Sequence, residues 1–124
     1  VDAFDISPVG IGKANKLAQQ ANVQVNYQVC GVENFDWKVG DYDAVAAIFI
    51  QFADPELRTR LFERMIDCLK PGGLLLLQGY TEALLRDAFK SMDIVELTSY
   101  EAVLREGTQH SGQSALIGML ARKI

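Results

Sequence analysis

Alternating and periodic apolar positions divide the chain into strands and helices. Four apolar runs have the length of strands, and they lie at residues 1–4, 23–29, 44–50 and 74–77. The run at 23–29 alternates with glutamine and asparagine, which predicts a strand at the edge of a sheet. The run at 44–50 is apolar on both faces and predicts a central parallel strand. Two more strands are predicted, at about 94–104 and 114–122.

Three helices are predicted between these strands. Their starts are marked by Ser7 followed by Pro8, by Asp54 followed by Pro55, and by Thr81, because such residues suit an N-cap and a first helical position. The sequence Leu-Lys-Pro-Gly-Gly at 69–73 ends the second helix and turns the chain. The apolar stripes are Ala14, Leu17, Ala18 and Ala21; then Leu57, Leu61, Phe62, Met65, Ile66 and Leu69; and last Leu84, Leu85, Ala88, Phe89 and Met92.

The order of these elements predicts an α/β fold. Strands that alternate with helices form a parallel sheet with helices on both faces, which is the doubly wound arrangement. The last two strands are separated only by residues 106–113. A parallel crossover needs a dozen or more residues, so these two strands are predicted to be antiparallel neighbours. The expected fold is a mostly parallel sheet with an antiparallel C-terminal strand.

Composition narrows the classes of function. The chain has 124 residues, of which 49% are hydrophobic, with 12 basic and 16 acidic residues and a net charge of −4. These values fit one domain without the clustered basic face of a nucleic-acid binder. No run approaches the roughly 20 apolar residues of a membrane span, so neither nucleic acid nor membrane is an expected partner. Cys30 and Cys68 lie far apart without CxxC spacing, which favours a reducing cytoplasmic location over a disulfide framework or a metal site.

Asp5 is the first candidate binding residue. It follows the first strand, and the carboxyl ends of parallel strands border the ligand crevice of an open α/β sheet. A carboxylate there can accept two hydrogen bonds from vicinal ribose hydroxyls. The alternative is an acidic residue near a helix N-terminus, where the helix dipole favours negative charge.

Gly10, Gly12 and Lys13 resemble a phosphate-binding loop only weakly. The dinucleotide fingerprint needs a third glycine where this chain has Asn15, and Pro8 starts the helix before the glycines. Close helix packing is the favoured explanation for them.

No catalytic residue is identified from the sequence. His110 is the only histidine, and it lies in the predicted loop without a nucleophile motif such as G-x-S-x-G. An exposed loop histidine is favoured over a catalytic base, and no residues cluster as metal ligands. Cys30 and Gly31 follow the edge strand at the level of Asp5, so this loop is a candidate border of the same ligand site. Cys68 is expected to be a buried packing residue.

The residues together resemble class I S-adenosylmethionine-dependent methyltransferases. The resemblance is carried by three segments, residues 1–8, 42–49 and 69–74, and by the terminal strand pair. It implies a Rossmann-like three-layer sandwich and is nearest to the small tellurite-resistance-like branch that methylates thiols or small molecules. The implied cofactor is S-adenosylmethionine, the implied partner is a small-molecule methyl acceptor, and a homodimer is one expected assembly.

The resemblance also implies roles for particular residues. Asp5 would bind the ribose hydroxyls, and Ile6 would pack on the adenine. Gly31 and Val32 would lie in the loop at the adenine edge. The strand end that lies beside the methionine moiety would be formed by Ile48 and Phe49.

The same resemblance leads us to expect an N-terminally incomplete single domain. The family's first strand and its glycine-rich loop would precede Val1, and a longer loop would lie near residues 80–81. Two other functions stay open. One is a fragment of a nicotinamide-dependent oxidoreductase, which also places an acid after a strand, although the reversed last strand argues against it. The other is a non-catalytic domain that acts by association. Gly31 favours this function, because many methyltransferases carry an aspartate at that position.

Overall fold

A computed structural model describes residues 1–48, 50, 52–106 and 110–124, and it describes the side chains of these residues except at 100–106 and 110–116. The chain divides into two compact units, residues 1–36 and residues 37–124. Each unit contains its own sheet. The two units are therefore described separately.

The first unit is a strand-helix-strand unit. Strand β1 (Asp2–Asp5) leads into helix α1 (Pro8–Gln20), and strand β2 (Asn26–Val29) pairs with β1 in parallel, with Asp5 opposite Val29. The Ser7 hydroxyl accepts a hydrogen bond from the backbone N–H of Gly10 at 3.0 Å. This is the side-chain cap that the sequence predicts, followed by proline at the first helical position.

The packed face of α1 differs from the predicted stripe. Ile11 and Ala18 are buried, whereas the side chain of Leu17 is 65% exposed. The predicted helix-packing role of Gly10 and Gly12 is wrong for this structure. Among the residues that the structure describes, a Cβ atom at Gly12 would meet nothing within 4 Å, and one at Gly10 would touch only Ser7 of its own cap. Neither glycine is needed for close contact with another element.

The second unit contains a four-stranded sheet and two helices. In chain order it has β3 (Tyr42–Ile48), α2 (Pro55–Cys68), β4 (Leu69–Gln78), α3 (Glu82–Ala88), β5 (Asp93–Glu106) and β6 (His110–Arg122). The strand order is β3-β4-β6-β5. Strands β3 and β4 are parallel, and β6 is antiparallel to both β4 and β5. The predicted α/β fold with one reversed C-terminal strand is confirmed.

The core of this unit lies between one face of the sheet and the two helices. The Phe62 ring of α2 contacts the Phe89 ring that follows α3, with the ring centroids 4.8 Å apart. Aromatic pairs at this distance stabilise a core beyond the area that they bury. The buried residues include Leu61, Phe62, Met65 and Cys68 of α2, Leu69, Leu75 and Leu77 of β4, Leu85 and Phe89 from the α3 region, and Met119 and Ala121 of β6. The predicted stripes of the second and third helices and the packing role of Cys68 are confirmed.

The carboxyl end of α2 is satisfied by partners distant in sequence. The carbonyls of Asp67 and Cys68 accept hydrogen bonds from the backbone N–H groups of Gly40 and Asp41. The Lys123 ammonium donates to the carbonyls of Ile66 and Leu69 at 2.9 and 2.8 Å. The last carbonyls of a helix have no partner within the helix itself, so these contacts hold the helix end in place.

Three predicted features of this unit are wrong. Strand β3 is an edge strand of its sheet rather than a central one, because among the described residues only β4 pairs with it, and Ile48 is 59% exposed. The turn predicted at residues 69–73 instead lies inside β4, where the pairing with β3 is shifted between Tyr42 and Ala44, although α2 does end at Cys68 as the sequence predicts. His110 is the first residue of β6 rather than a loop residue, and its side chain lies outside the described residues.

Candidate functional site

In the first unit, the carboxyl ends of β1 and β2 place Asp5 beside the loop that follows β2. The backbone N–H of Cys30 donates a hydrogen bond to the carbonyl of Asp5 at 3.1 Å, which extends the strand pairing by one residue. Gly31 comes next in the chain. The structure therefore brings Asp5 and the Gly31 loop to the same edge of the β1–β2 pair, which is the edge where open α/β sheets bind ligands.

The Asp5 carboxylate is exposed and held by one local hydrogen bond. Its Oδ1 atom accepts from the backbone N–H of Ser7 at 2.8 Å. The Oδ2 atom accepts none within the part of the chain that the structure describes. A carboxylate has about four acceptor positions on its two oxygens, so the Ser7 contact orients the group and leaves capacity for two hydroxyl donors. The same contact also fits the alternative interpretation, in which Asp5 stabilises the start of α1.

The loop after β2 is a compact turn with open space at its start. The carbonyl of Gly31 accepts hydrogen bonds from the N–H groups of Asn34 and Phe35, at 3.1 and 3.2 Å. A Cβ atom at Gly31 would meet no atom of the described residues within 4 Å, so there is open space beside this glycine. The Phe35 ring stacks on that of Phe4, with the centroids 4.2 Å apart, and this contact attaches the turn to β1.

Two predicted contact residues of this unit have different surroundings. The Ile6 side chain is 78% exposed, which leaves an apolar surface next to Asp5. Val32 is half-buried within the turn after β2. Their predicted contacts with an adenine ring stay predictions.

In the second unit, the carboxyl ends of β3 and β4 lie side by side. Ile48 is the last residue of β3 and is opposite Gln78, the last residue of β4. The predicted neighbour Phe49 lies outside the described residues. The exposed side chain of Ile48 is therefore the part of this predicted contact that the structure describes.

Tyr80 is a residue at this edge that the sequence analysis missed. Its hydroxyl donates a 2.6 Å hydrogen bond to the carbonyl of Ile50, just after β3. Its ring contacts Phe62 edge-on at 5.5 Å, and the Arg58 guanidinium carbon lies 5.7 Å from the ring centroid. Burial raises the pKa of the Tyr80 phenol, and the positive charge of Arg58 partly opposes this shift. The sequence carries one sign of this position, since Tyr80 directly follows Gly79 in the short link between β4 and α3.

Three other features bear on the kind of site. Within the described residues, no cluster of three or more His, Cys, Asp or Glu residues could hold a metal ion. The helices of that same part of the chain include none with the length and apolar character to cross a membrane. An open groove of about 420 Å³ lies between α1 and the amino ends of β1 and β2, so it is away from the strand ends that carry Asp5.

Comparison with known proteins supports the resemblance seen in the sequence. Residues 1–73, more than half of the chain, match the family described as "Methyltransferase domain". A search of curated proteins found no match to the sequence.

Solved structures with the same fold cover essentially the whole chain. TehB from Haemophilus influenzae has a TM-score of 0.81 at 16% identity, over 100% of this chain and 50% of that one. A SAM-dependent methyltransferase from Methanosarcina mazei has a TM-score of 0.81 at 15% identity, over 100% of this chain and 82% of that one.

A third solved structure is the 1,6-didemethyltoxoflavin-N1-methyltransferase of Burkholderia thailandensis, whose structure holds 1,6-didemethyltoxoflavin and S-adenosylhomocysteine. It has a TM-score of 0.73 at 17% identity, over 99% of this chain and 60% of that one. The chain spans half the length of the TehB chain.

The shared fold confirms the predicted Rossmann-like architecture. The match over residues 1–73 shows that the chain belongs to the methyltransferase domain family.

Proposed function

We propose that the protein transfers the methyl group of S-adenosylmethionine to a small-molecule acceptor. The observation that carries this proposal is the position of Asp5 in a chain of the methyltransferase domain family. Asp5 lies at the carboxyl end of a parallel strand, next to the Gly31 loop, with an exposed carboxylate. An adenosine ligand needs such an acceptor for its two ribose hydroxyls.

Each predicted site residue has a role in this proposal. Asp5 accepts hydrogen bonds from the ribose hydroxyls, and Ile6 provides apolar contact with the adenine ring. Gly31 and Val32 border the edge of the adenine, where the open space at Gly31 admits a flat ring without a steric clash. Ile48 and Phe49 contribute apolar contacts with the methionine portion of the cofactor.

Methyl transfer from a sulfonium needs little acid–base catalysis by the protein. A nucleophilic atom of the acceptor forms a bond to the methyl carbon as the bond from carbon to the sulfonium breaks. The electron pair of the breaking bond goes to sulfur and gives neutral S-adenosylhomocysteine. Alignment of the two reactants and exclusion of water supply much of the acceleration of such a displacement. A site of binding residues without a catalytic triad is consistent with this chemistry.

The nature of the acceptor and the setting of the enzyme are the finer parts of the proposal. A small-molecule acceptor of the kind that a tellurite-resistance-like methyltransferase uses is supported by the fold shared with TehB and with the 1,6-didemethyltoxoflavin-N1-methyltransferase. A cytoplasmic location is supported by the free thiols of Cys30 and Cys68. A single methyltransferase-like domain and a homodimeric assembly are further parts of the proposal.

Thermal unfolding with two ligands tests the proposed function. The intact protein is heated with S-adenosylhomocysteine and, separately, with NAD. A ligand that binds only the folded state stabilises it by about 2.7 kcal/mol at a concentration one hundred times its Kd. We expect Tm to rise with S-adenosylhomocysteine concentration and to stay constant with NAD.

The other outcomes support the other two functions. A shift with NAD alone would support the oxidoreductase alternative, against which the antiparallel β6 already argues. A constant Tm with both ligands would refute methyl transfer and support a domain that acts by association.

A further inference from the structure

Tyr80 is held in an unusual backbone conformation by contacts of its side chain. Its φ angle is 64°, in the left-handed region, and it follows Gly79 at φ 131°. Bulky residues rarely adopt this region, and where they do the surrounding structure holds them there, often at functional sites. Here the holding contacts are the edge-on packing with Phe62, the Arg58 guanidinium and the hydrogen bond to Ile50.

The hydrogen bond joins the carboxyl ends of two neighbouring parallel strands. Ile50 is two residues after the end of β3, and Tyr80 is two residues after the end of β4. The 2.6 Å distance from the phenol oxygen to the Ile50 carbonyl is short for an O–H···O bond, and the ring is half-buried. The Ile50 carbonyl is therefore tied to Tyr80 on the side of the sheet where α/β proteins bind ligands.

We propose that Tyr80 is a positioning residue for cofactor binding, because its hydroxyl fixes the main chain after β3 through the carbonyl of Ile50. This inference rests on the proposed function. A carbonyl that is already held in place needs no further ordering when the ligand arrives, and a preorganised site binds more tightly for that reason. Tyr80 acts through Ile50 rather than through contact with the reacting atoms.

A single-atom change separates this role from general support of the fold. Tyr80→Phe removes the hydroxyl and keeps the ring against Phe62. Tyr42→Phe is the matched control, since it removes a hydroxyl at the amino end of β3, away from the ligand side. Titration calorimetry with S-adenosylhomocysteine is carried out on the intact wild-type protein and on both variants. Hydrogen exchange of the Phe52 and Ala53 amides is measured on the same three proteins without ligand.

We expect Tyr80→Phe to bind S-adenosylhomocysteine about three- to tenfold more weakly than wild type, the range for the loss of one neutral hydrogen bond. The Phe52 and Ala53 amides should exchange faster in this variant before ligand is added. Tyr42→Phe should match wild type in both measurements. A residue with a merely structural role would change Tm without this selective loss of affinity.

Two results would overturn the inference, and they have different meanings. If wild type binds S-adenosylhomocysteine and Tyr80→Phe binds it equally well, Tyr80 does not position the site and the proposed function stands. If wild type does not bind S-adenosylhomocysteine, the proposed function fails and the inference fails with it.

Discussion

Lys123 offers the sharpest test of how the second unit is held together. Helix α2 carries no basic residue in its last turn, although a positive charge there would favour the negative end of the helix dipole. Lys123, which follows β6, supplies that charge from elsewhere in the chain. Its half-buried ammonium donates to two carbonyls, those of Ile66 and Leu69, at 2.9 and 2.8 Å.

Lys123→Met keeps the aliphatic stem and removes the ammonium. Hydrogen bonds from a charged donor contribute about 1.5–3 kcal/mol, and the carbonyl of the fully buried Leu69 loses this donor. We therefore expect the free energy of unfolding to fall by about 2–3 kcal/mol. For a unit of this size each kcal/mol corresponds to about 4–8 °C in Tm.

Lys70→Met is the matched control, because it removes a lysine whose ammonium makes an exposed ion pair. Lys70 lies 3.2 Å from Asp43, with side chains 50% and 88% exposed, and such pairs contribute about 0–1 kcal/mol. Urea unfolding of the intact protein and of both variants, followed by circular dichroism, gives the comparison. If Lys123→Met is no more destabilising than Lys70→Met, the account of the α2 carboxyl end is refuted.

Two further predictions concern titratable side chains. The half-exposed Cys30 should react with a thiol reagent in the folded protein. Cys68 should react only after unfolding, because it is 1% exposed and burial raises the pKa of its thiol. Equal reaction rates for the two thiols would contradict the buried position of Cys68. The raised pKa of Tyr80 means that the unfolded phenol ionises first as the pH rises through about 10. The stabilisation by Tyr80 is therefore complete below that pH and decreases as the pH rises from the unfolded to the folded pKa. The difference in unfolding free energy between wild type and Tyr80→Phe should narrow above about pH 10. A difference that stays constant would refute the raised pKa of Tyr80.

Local signals predicted the elements well because their causes are local. Ser7, Asp54 and Thr81 each cap the helix that their position predicts, with the side chain accepting from a backbone N–H three residues later. The reversed last strand followed from the short link alone, and β6 pairs antiparallel with β5 as predicted. Asp5 was placed at the end of β1 for the same reason, since the apolar run stops there.

The features that the sequence did not predict depend on distant partners. The apolar pattern of β3 does not predict that β4 is its one partner among the described strands, nor that Ile48 is exposed. Lys123 looks like a surface residue until the fold brings it to the end of α2, 54 residues from Leu69. Tyr80 gains its role from a carbonyl 30 residues away. No periodicity in a single segment records such contacts.

The measurement that tests the central claim most directly is the affinity of the intact protein for S-adenosylhomocysteine when Asp5 is changed. Asp5→Asn keeps the size of the side chain and removes its charge, and Asp2→Asn makes the same change at the amino end of β1, where Asp2 accepts from the Asn26 amide. Hydrogen bonds to a charged group contribute about 1.5–3 kcal/mol, so titration calorimetry should show Asp5→Asn binding roughly ten- to a hundredfold more weakly, with Asp2→Asn unchanged. Equal affinity of wild type and Asp5→Asn would remove Asp5 from the cofactor site and leave it as a residue that stabilises the start of α1.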